Sequence, residues 1–140
     1  MRDLNGRWIM GFMVNIGICT AVGAEVWAVL HGLQMAWRAG ARRLIVELDS
    51  LLVASWLSRQ NSCNSVHVNL VLECLDLLSK DWQVKINHVR REGNQVADWL
   101  ANSSLSCPQG YHELVEAPAA VGSLLYQDSS GVCWPRRVLS

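Results

Sequence analysis

Between residues 21 and 39 apolar side chains recur at Val22, Val26, Val29, Leu30, Leu33, Ala36 and Trp37, three and four positions apart. That spacing gathers them on one face of a helix, and Gly40 is the residue best able to end it. Helical rotation puts Glu25, Gly32 and Met35 on one flank of the stripe, so Glu25 is expected at the margin of a core. Residues 44–48 form a short apolar strand interrupted by Glu47, and Asp49-Ser50 can cap a helix over 51–57. A polar loop follows over 60–65. Val68, Val71, Leu72, Leu75 and Leu78 predict a third helix. Trp82, Val84, Ile86 and His88 alternate with Gln83, Lys85 and Asn87, a strand with His88 on the apolar parity. Arg91-Glu92-Gly93-Asn94 makes a turn, and Asn94 can cap a last helix running to about residue 102.

At the N-terminus, Asp3-Leu4-Asn5-Gly6 reads as a turn, because Asn-Gly supplies the positive-φ positions of a tight hairpin. Residues 7–14, Arg7-Trp8-Ile9-Met10-Gly11-Phe12-Met13-Val14, follow it as a strand. Only two residues precede the turn, so the strand 7–14 is expected to present an unpaired edge that recruits other chains. From Ser103 onward Ser, Pro and Gly punctuate the chain. Residues 114–125 hold a turn or two of helix interrupted by Pro118, in an extension over 103–140 that is partly ordered. The order strand, helix, strand, helix, helix, strand, helix places the domain over 1–102 in the α/β class, with a sheet flanked by helices. In such sheets sites form at the carboxyl ends of strands, where Asp49 stands.

Composition sharpens this picture at few points. With 140 residues, half of them hydrophobic, the chain suits one domain with a sizeable core. Its seven Trp are expected in packing. Net charge is zero, which gives no long-range pull on nucleic acid, but Lys85, His88, Arg90 and Arg91 form a local basic run near Asp98. Five scattered Cys (19, 63, 74, 107 and 133) have neither zinc-knuckle nor redox spacing and read as free thiols of a reducing compartment. No signal peptide or membrane-length apolar run is present. The expectation is an intracellular protein with no membrane partner, and nothing in the chain separates nucleus from cytosol.

The candidate chemistry rests on Glu25, Asp49 and Asp98. They come from a helix, a strand end and a second helix. Carboxylates converging in that way make a hard-oxygen site for Mg²⁺ or Mn²⁺, suited to phosphodiester hydrolysis. The plain alternative for each is a surface carboxylate. His31, His67 and His112 have no partner at ligand spacing and are read as surface or packing residues.

Three segments, in order, resemble one family. Ala24-Glu25-Val26-Trp27-Ala28-Val29-Leu30-His31-Gly32-Leu33 is similar to the AE-x-x-A-x-x-x-G-L helix of the plant ribonuclease-H-like domain, a relative of type 1 ribonuclease H found in non-LTR retroelement reverse transcriptases. Ile45-Val46-Glu47-Leu48-Asp49-Ser50 resembles its E-x-D-S strand end. Residues 88–101, from His88-Val89-Arg90-Arg91-Glu92-Gly93-Asn94 through Ala97-Asp98, are close to its H-V-x-R-E-G-N-x-x-A-D-x-L-A motif. The match covers residues 1–102, and Val132-Cys133-Trp134-Pro135-Arg136 resembles a common plant extension.

The resemblance implies a ribonuclease-H-like mixed sheet with flanking helices. It implies Glu25, Asp49 and Asp98 as the second, third and fourth of four catalytic, metal-binding carboxylates. The first Asp and the strand carrying it have no counterpart, so the domain is expected to be N-terminally truncated, with the first strand missing and weak Mg²⁺ binding. Asp3 belongs to the turn and does not take that role. The implied activity is Mg²⁺- or Mn²⁺-dependent cleavage of the RNA strand of an RNA–DNA hybrid, with Lys85, His88, Arg90, Arg91 and Asn94 contacting nucleic acid. The competing expectation is a catalytically inactive nucleic-acid-binding or protein-interaction remnant of a retroelement.

Overall fold

The computed structural model describes residues 1–17, 19–129 and 137–139. Its first seven elements follow the expected order: strand β1 (Gly11–Asn15), helix α1 (Ala21–Arg38), strand β2 (Arg43–Leu48), helices α2 (Leu51–Leu57) and α3 (Val68–Leu78), strand β3 (Gln83–His88) and helix α4 (Gln95–Ser104). Strand β4 (Gly110–Leu114), helix α5 (Gly122–Ser129) and strand β5 (Arg137–Leu139) complete it. The segment 132–136, including Cys133, lies outside the described residues. Among the described residues no helix is long and apolar enough to cross a membrane.

The strands form two sheets. In one, β2 lies between β3 and β5, parallel to both, with Leu44 opposite Val84 and Arg137. In the other, β1 and β4 pair antiparallel, with Gly11 opposite Leu114 and Asn15 opposite Gly110. This pairing corrects the expected orphan edge. β4 covers one side of β1 along its whole length, because Tyr111 can stack on Phe12 at 5.5 Å while Arg38 of α1 donates to Tyr111 and Glu113. Residues 110–125 are thereby built into the body. Val121 is fully buried against Val96 and Leu100, with Leu114, Leu124 and Leu125 beside them.

Local signals act largely as the pattern implies. Thr20 caps α1 by accepting from Gly23 N–H, and Gly40, at φ 82°, closes its other end with a bond to Trp37 O. Ser50 caps α2 by accepting from Val53 N–H. Val26, Leu33, Leu44, Val46, Val53 and Cys74 meet in the main core between β2 and helices α1 to α3. In α3 the buried face centres on Val71 and Cys74, while Leu72 turns to solvent. His31 is a packing residue, stacked between Trp27 and Tyr111 at 5.7 and 5.2 Å. His67 bonds Thr20, and His112 bonds Pro108 O. The cysteines among the described residues are free.

Two places depart from the pattern. The strand expected over 7–14 begins only at Gly11. Before it the chain makes a minimal hairpin: Asp3 accepts from Asn5 and Arg7 N–H, Gly6 sits at φ 77°, and Arg2 bridges Trp8. The Trp8 indole then folds back over Gly11, held by its N–H to Val115 O at 2.9 Å. The second is Asn94, which stands at the start of α4 without making a side-chain cap. Its backbone does the work, accepting from Asp98 N–H.

A Cβ at Gly11 would lie 2.4 Å from the Trp8 ring, whereas one at Gly122 meets nothing within 4 Å. Gly11→Ala is therefore expected to lower unfolding stability by about 1–3 kcal/mol. Gly122→Ala, in α5, should be neutral or stabilising by up to about 1 kcal/mol. Urea unfolding of the two variants measures both, and an unchanged Gly11→Ala midpoint would show that the indole does not rest on Gly11.

Candidate active site

β1, the end of β2, α1 and α4 enclose a cavity of about 390 Å³, and Glu25, Asp49 and Asp98 all line it. Each reaches it for a local reason. The Thr20 cap sets the start of α1, and Glu25 follows one turn later, flanking the buried stripe and half-buried. Asp49 leaves β2 where that strand ends, held by Val89 N–H to Leu48 O and by the His88 ring against Asp49 O at 3.3 Å. Asp98 lies in the first turn of α4 and is exposed.

The three are not equivalent. The carboxyls of Glu25 and Asp49 lie close enough to interact directly, with the Ser50 hydroxyl nearby. Burial first, then the interaction with Asp49, push Glu25 up from 4.5 to about 7, against opposing effects of Ser50 and Arg91. Glu25 Oε2 is buried with no hydrogen-bond partner. An orphan carboxylate oxygen next to a second carboxylate suits one hard divalent cation. Asp98 stands apart from this pair. Among the described residues no group of three or more His, Cys, Asp or Glu side chains is placed to hold one ion.

The expected nucleic-acid contacts divide. Arg91 lies at the mouth of the cavity, its Nε 3.5 Å from Asp49 Oδ2. Arg90, Lys85 and His88 are exposed, Lys85 and His88 on β3. His88 thus leaves the apolar parity expected of it, because it ends the strand and turns to Asp49 O. Asn94 departs most from expectation: it is 8% exposed, lines the cavity, and its Oδ1 has no partner. Its side chain belongs to the cavity wall and not to the outer surface. Trp99 packs against the Val96–Leu100–Val121 cluster. Glu47 is engaged by Arg2 at 2.8 Å, and Asn15 bonds Cys107 O and Gly17 N–H, so neither offers a free oxygen set to the pair. Ser50, expected as a helix cap, also lies near Glu25, and its position right after Asp49 is the sign of that.

Known proteins are similar to this chain in sequence and fold. The family model described as reverse transcriptase-like matches residues 1–104. A protein of Arabidopsis thaliana, provisionally named a ribonuclease H protein, is 42% identical over 138 residues. That match takes in 99% of this chain and 22% of the relative, so the chain spans about a fifth of the relative's length. Among solved structures, the ribonuclease H1 of Halobacterium salinarum is similar with a TM-score of 0.64 and 29% identity, over 68% of this chain and 73% of that one. The N-terminal ribonuclease H domain of a Mycobacterium tuberculosis protein gives 0.62 and 29%, over 65% and 66%. The chain belongs to the reverse transcriptase-like family and has a ribonuclease-H-like fold.

Proposed function

We propose that this chain is a ribonuclease-type domain that binds an RNA–DNA hybrid and hydrolyses its RNA strand at the Glu25–Asp49 carboxyl pair. The observation that carries the reading is the contact between these two carboxyls, with Glu25 Oε2 buried and unpartnered. Mg²⁺ or Mn²⁺ held by Glu25 and Asp49 would supply the charge that activates water and steadies the leaving oxygen. Asp49 is the better fixed of the two, being tied at the strand end. Asp98 faces the same cavity from α4, and in this reading it acts on the far side of a phosphate. Arg90, Arg91, Lys85 and His88 supply the phosphate-facing surface, and Asn94 belongs to the cavity wall. Since only two carboxyls are in contact, cation binding and turnover should both be weak.

A second reading, binding without cleavage, is favoured by the separation of Asp98 from the pair. An end-labelled RNA–DNA hybrid separates the two. Slow Mg²⁺-dependent cleavage is expected, and Asp49→Asn should reduce it at least as much as loss of a residue supporting a metal ligand does, roughly 10- to 100-fold. Cleavage that survives Asp49→Asn places the activity elsewhere, and hybrid binding with no cleavage selects the second reading. Binding itself should weaken with salt, and Arg90→Ala should lower the slope of log K against log salt by roughly one.

The acid pair also predicts a pH dependence. Glu25 has its pKa raised in the folded protein, so without metal its ionisation opposes folding. Below pH 4.5 Glu25 is neutral folded or unfolded and costs nothing. Between 4.5 and about 7 the unfolded chain ionises first, and the stability contributed by the protonated form is lost as pH rises. The buried Met1 ammonium, lowered to about 5 by burial and then by the Arg2 charge, acts with opposite sign in an overlapping window. Comparing Glu25→Gln with the parent chain cancels that second effect. In chelator-treated buffer the advantage of Glu25→Gln should grow from pH 4.5 to 7 and then level off. Discounted for the solvent around a half-buried group, it should reach about 1–2 kcal/mol. A flat difference across that range would mean that Glu25 does not hold the proton.

A further inference from the structure

Taking Glu25 and Asp49 as the cation site, as proposed above, we infer that Arg91 is the resident counter-cation of that site, a side chain that leaves Asp49 when a divalent ion is held and then serves a phosphate.

The two partners of this ion pair are unequal in freedom. Asp49 is 21% exposed and fixed to the end of β2, whereas the Arg91 side chain is 77% exposed. The Arg91 backbone is itself anchored, since Asn94 N–H bonds Arg91 O and Gly93 N–H bonds Arg90 O. Movement is therefore confined to the long side chain. The contact runs through Nε, at 3.5 Å, longer than the two-pronged hydrogen-bonded pairing that makes arginine–carboxylate pairs strong. The terminal nitrogens thus remain available to an acceptor outside the cavity, and Arg90 and His88 expose further cationic or donor groups nearby in sequence. An exposed single contact of this kind stabilises a fold very little. Its consequence is electrostatic: Arg91 neutralises Asp49 and favours the ionised form of Glu25 as well. A divalent ion at Glu25 and Asp49 would meet this positive charge at close range, so ion binding and the departure of Arg91 are linked.

Mn²⁺ titrated calorimetrically at low salt into the full chain tests the linkage, with unfolding midpoints confirming that each variant is folded. Arg91→Gln should bind Mn²⁺ roughly two- to fivefold more tightly than the parent, the worth of one exposed ion pair. Arg91→Lys, which keeps the charge, should stay closer to the parent than Arg91→Gln. Arg43→Gln makes the same change in net charge at the far end of β2, about 20 Å away along six residues of strand, and should leave binding unchanged. Equal affinity for the parent and Arg91→Gln, or weaker binding by Arg91→Gln, would overturn the inference and leave the cation site standing. Equal tightening by Arg91→Gln and Arg43→Gln would overturn it too, as an effect of net charge. No Mn²⁺ binding by any of the folded proteins would instead overturn the reading of Glu25 and Asp49 as a cation site, and the inference with it.

Discussion

The buried ion pair of Arg2 and Glu47 constrains much of the rest of the molecule. Both side chains are nearly inaccessible, and Glu47 sits in a strand whose preceding residues Leu44, Ile45 and Val46 are fully buried. A carboxylate in that position costs several kcal/mol unless a cation and hydrogen bonds meet it. Arg2 does so from the N-terminal hairpin, which must therefore fold against β2. The hairpin leads directly into β1, and β1 carries β4 with it. Because the two sheets share no strand pairing among the described residues, this side-chain link and the packing around α1 help hold them together. The constraint reaches the site as well. Asp49 is two residues beyond Glu47, on the same parity, so the register that lets Glu47 meet Arg2 also aims Asp49 at the cavity.

Much of this was readable from local pattern, and the exceptions have physical causes. Helix α1 announces itself through a three- and four-residue repeat, and the same rotation puts Glu25 at the edge of its buried face. Asp49 is marked by the end of an apolar run and by the serine that caps the next helix. What pattern could not supply is pairing between distant segments. Gly110–Leu114 is short, only partly buried and about a hundred residues from its partner, so nothing local distinguishes it from loop. The late start of β1 at Gly11 depends on the Trp8 indole reaching Val115 O, a contact of the same long range. Glu47, which looked like an interruption of a strand, is explained only by a residue 45 positions earlier.

Asn94 is buried and makes no side-chain cap, for a different reason. A polar residue at a helix start is ordinarily a cap facing water, and sequence offers no way to see that this one is turned inward. Its unpartnered oxygen lines the same cavity as the unpartnered oxygen of Glu25. Buried polar atoms are almost always hydrogen-bonded, so two orphans around one cavity mark it as a place where the fold has given up satisfaction that a packed core would keep. Sites of chemistry are where that concession is usual.

The carboxyl pair carries the same conflict into electrostatics. Two acids in contact cannot both stay ionised without something positive close by, and this fold offers two local answers. One is a proton, which the contact and burial hold on Glu25 up to about pH 7. The other is Arg91, which reaches Asp49 from an exposed turn at little cost and with little gain in stability. Neither satisfies Glu25 Oε2, which remains buried without a donor. A small divalent cation is the one common species that could neutralise both carboxyls and fill that remaining oxygen at once. Its affinity is then set by competition against a proton and a guanidinium already in place, so the weakness expected of the site follows from its neighbours as much as from the number of its ligands.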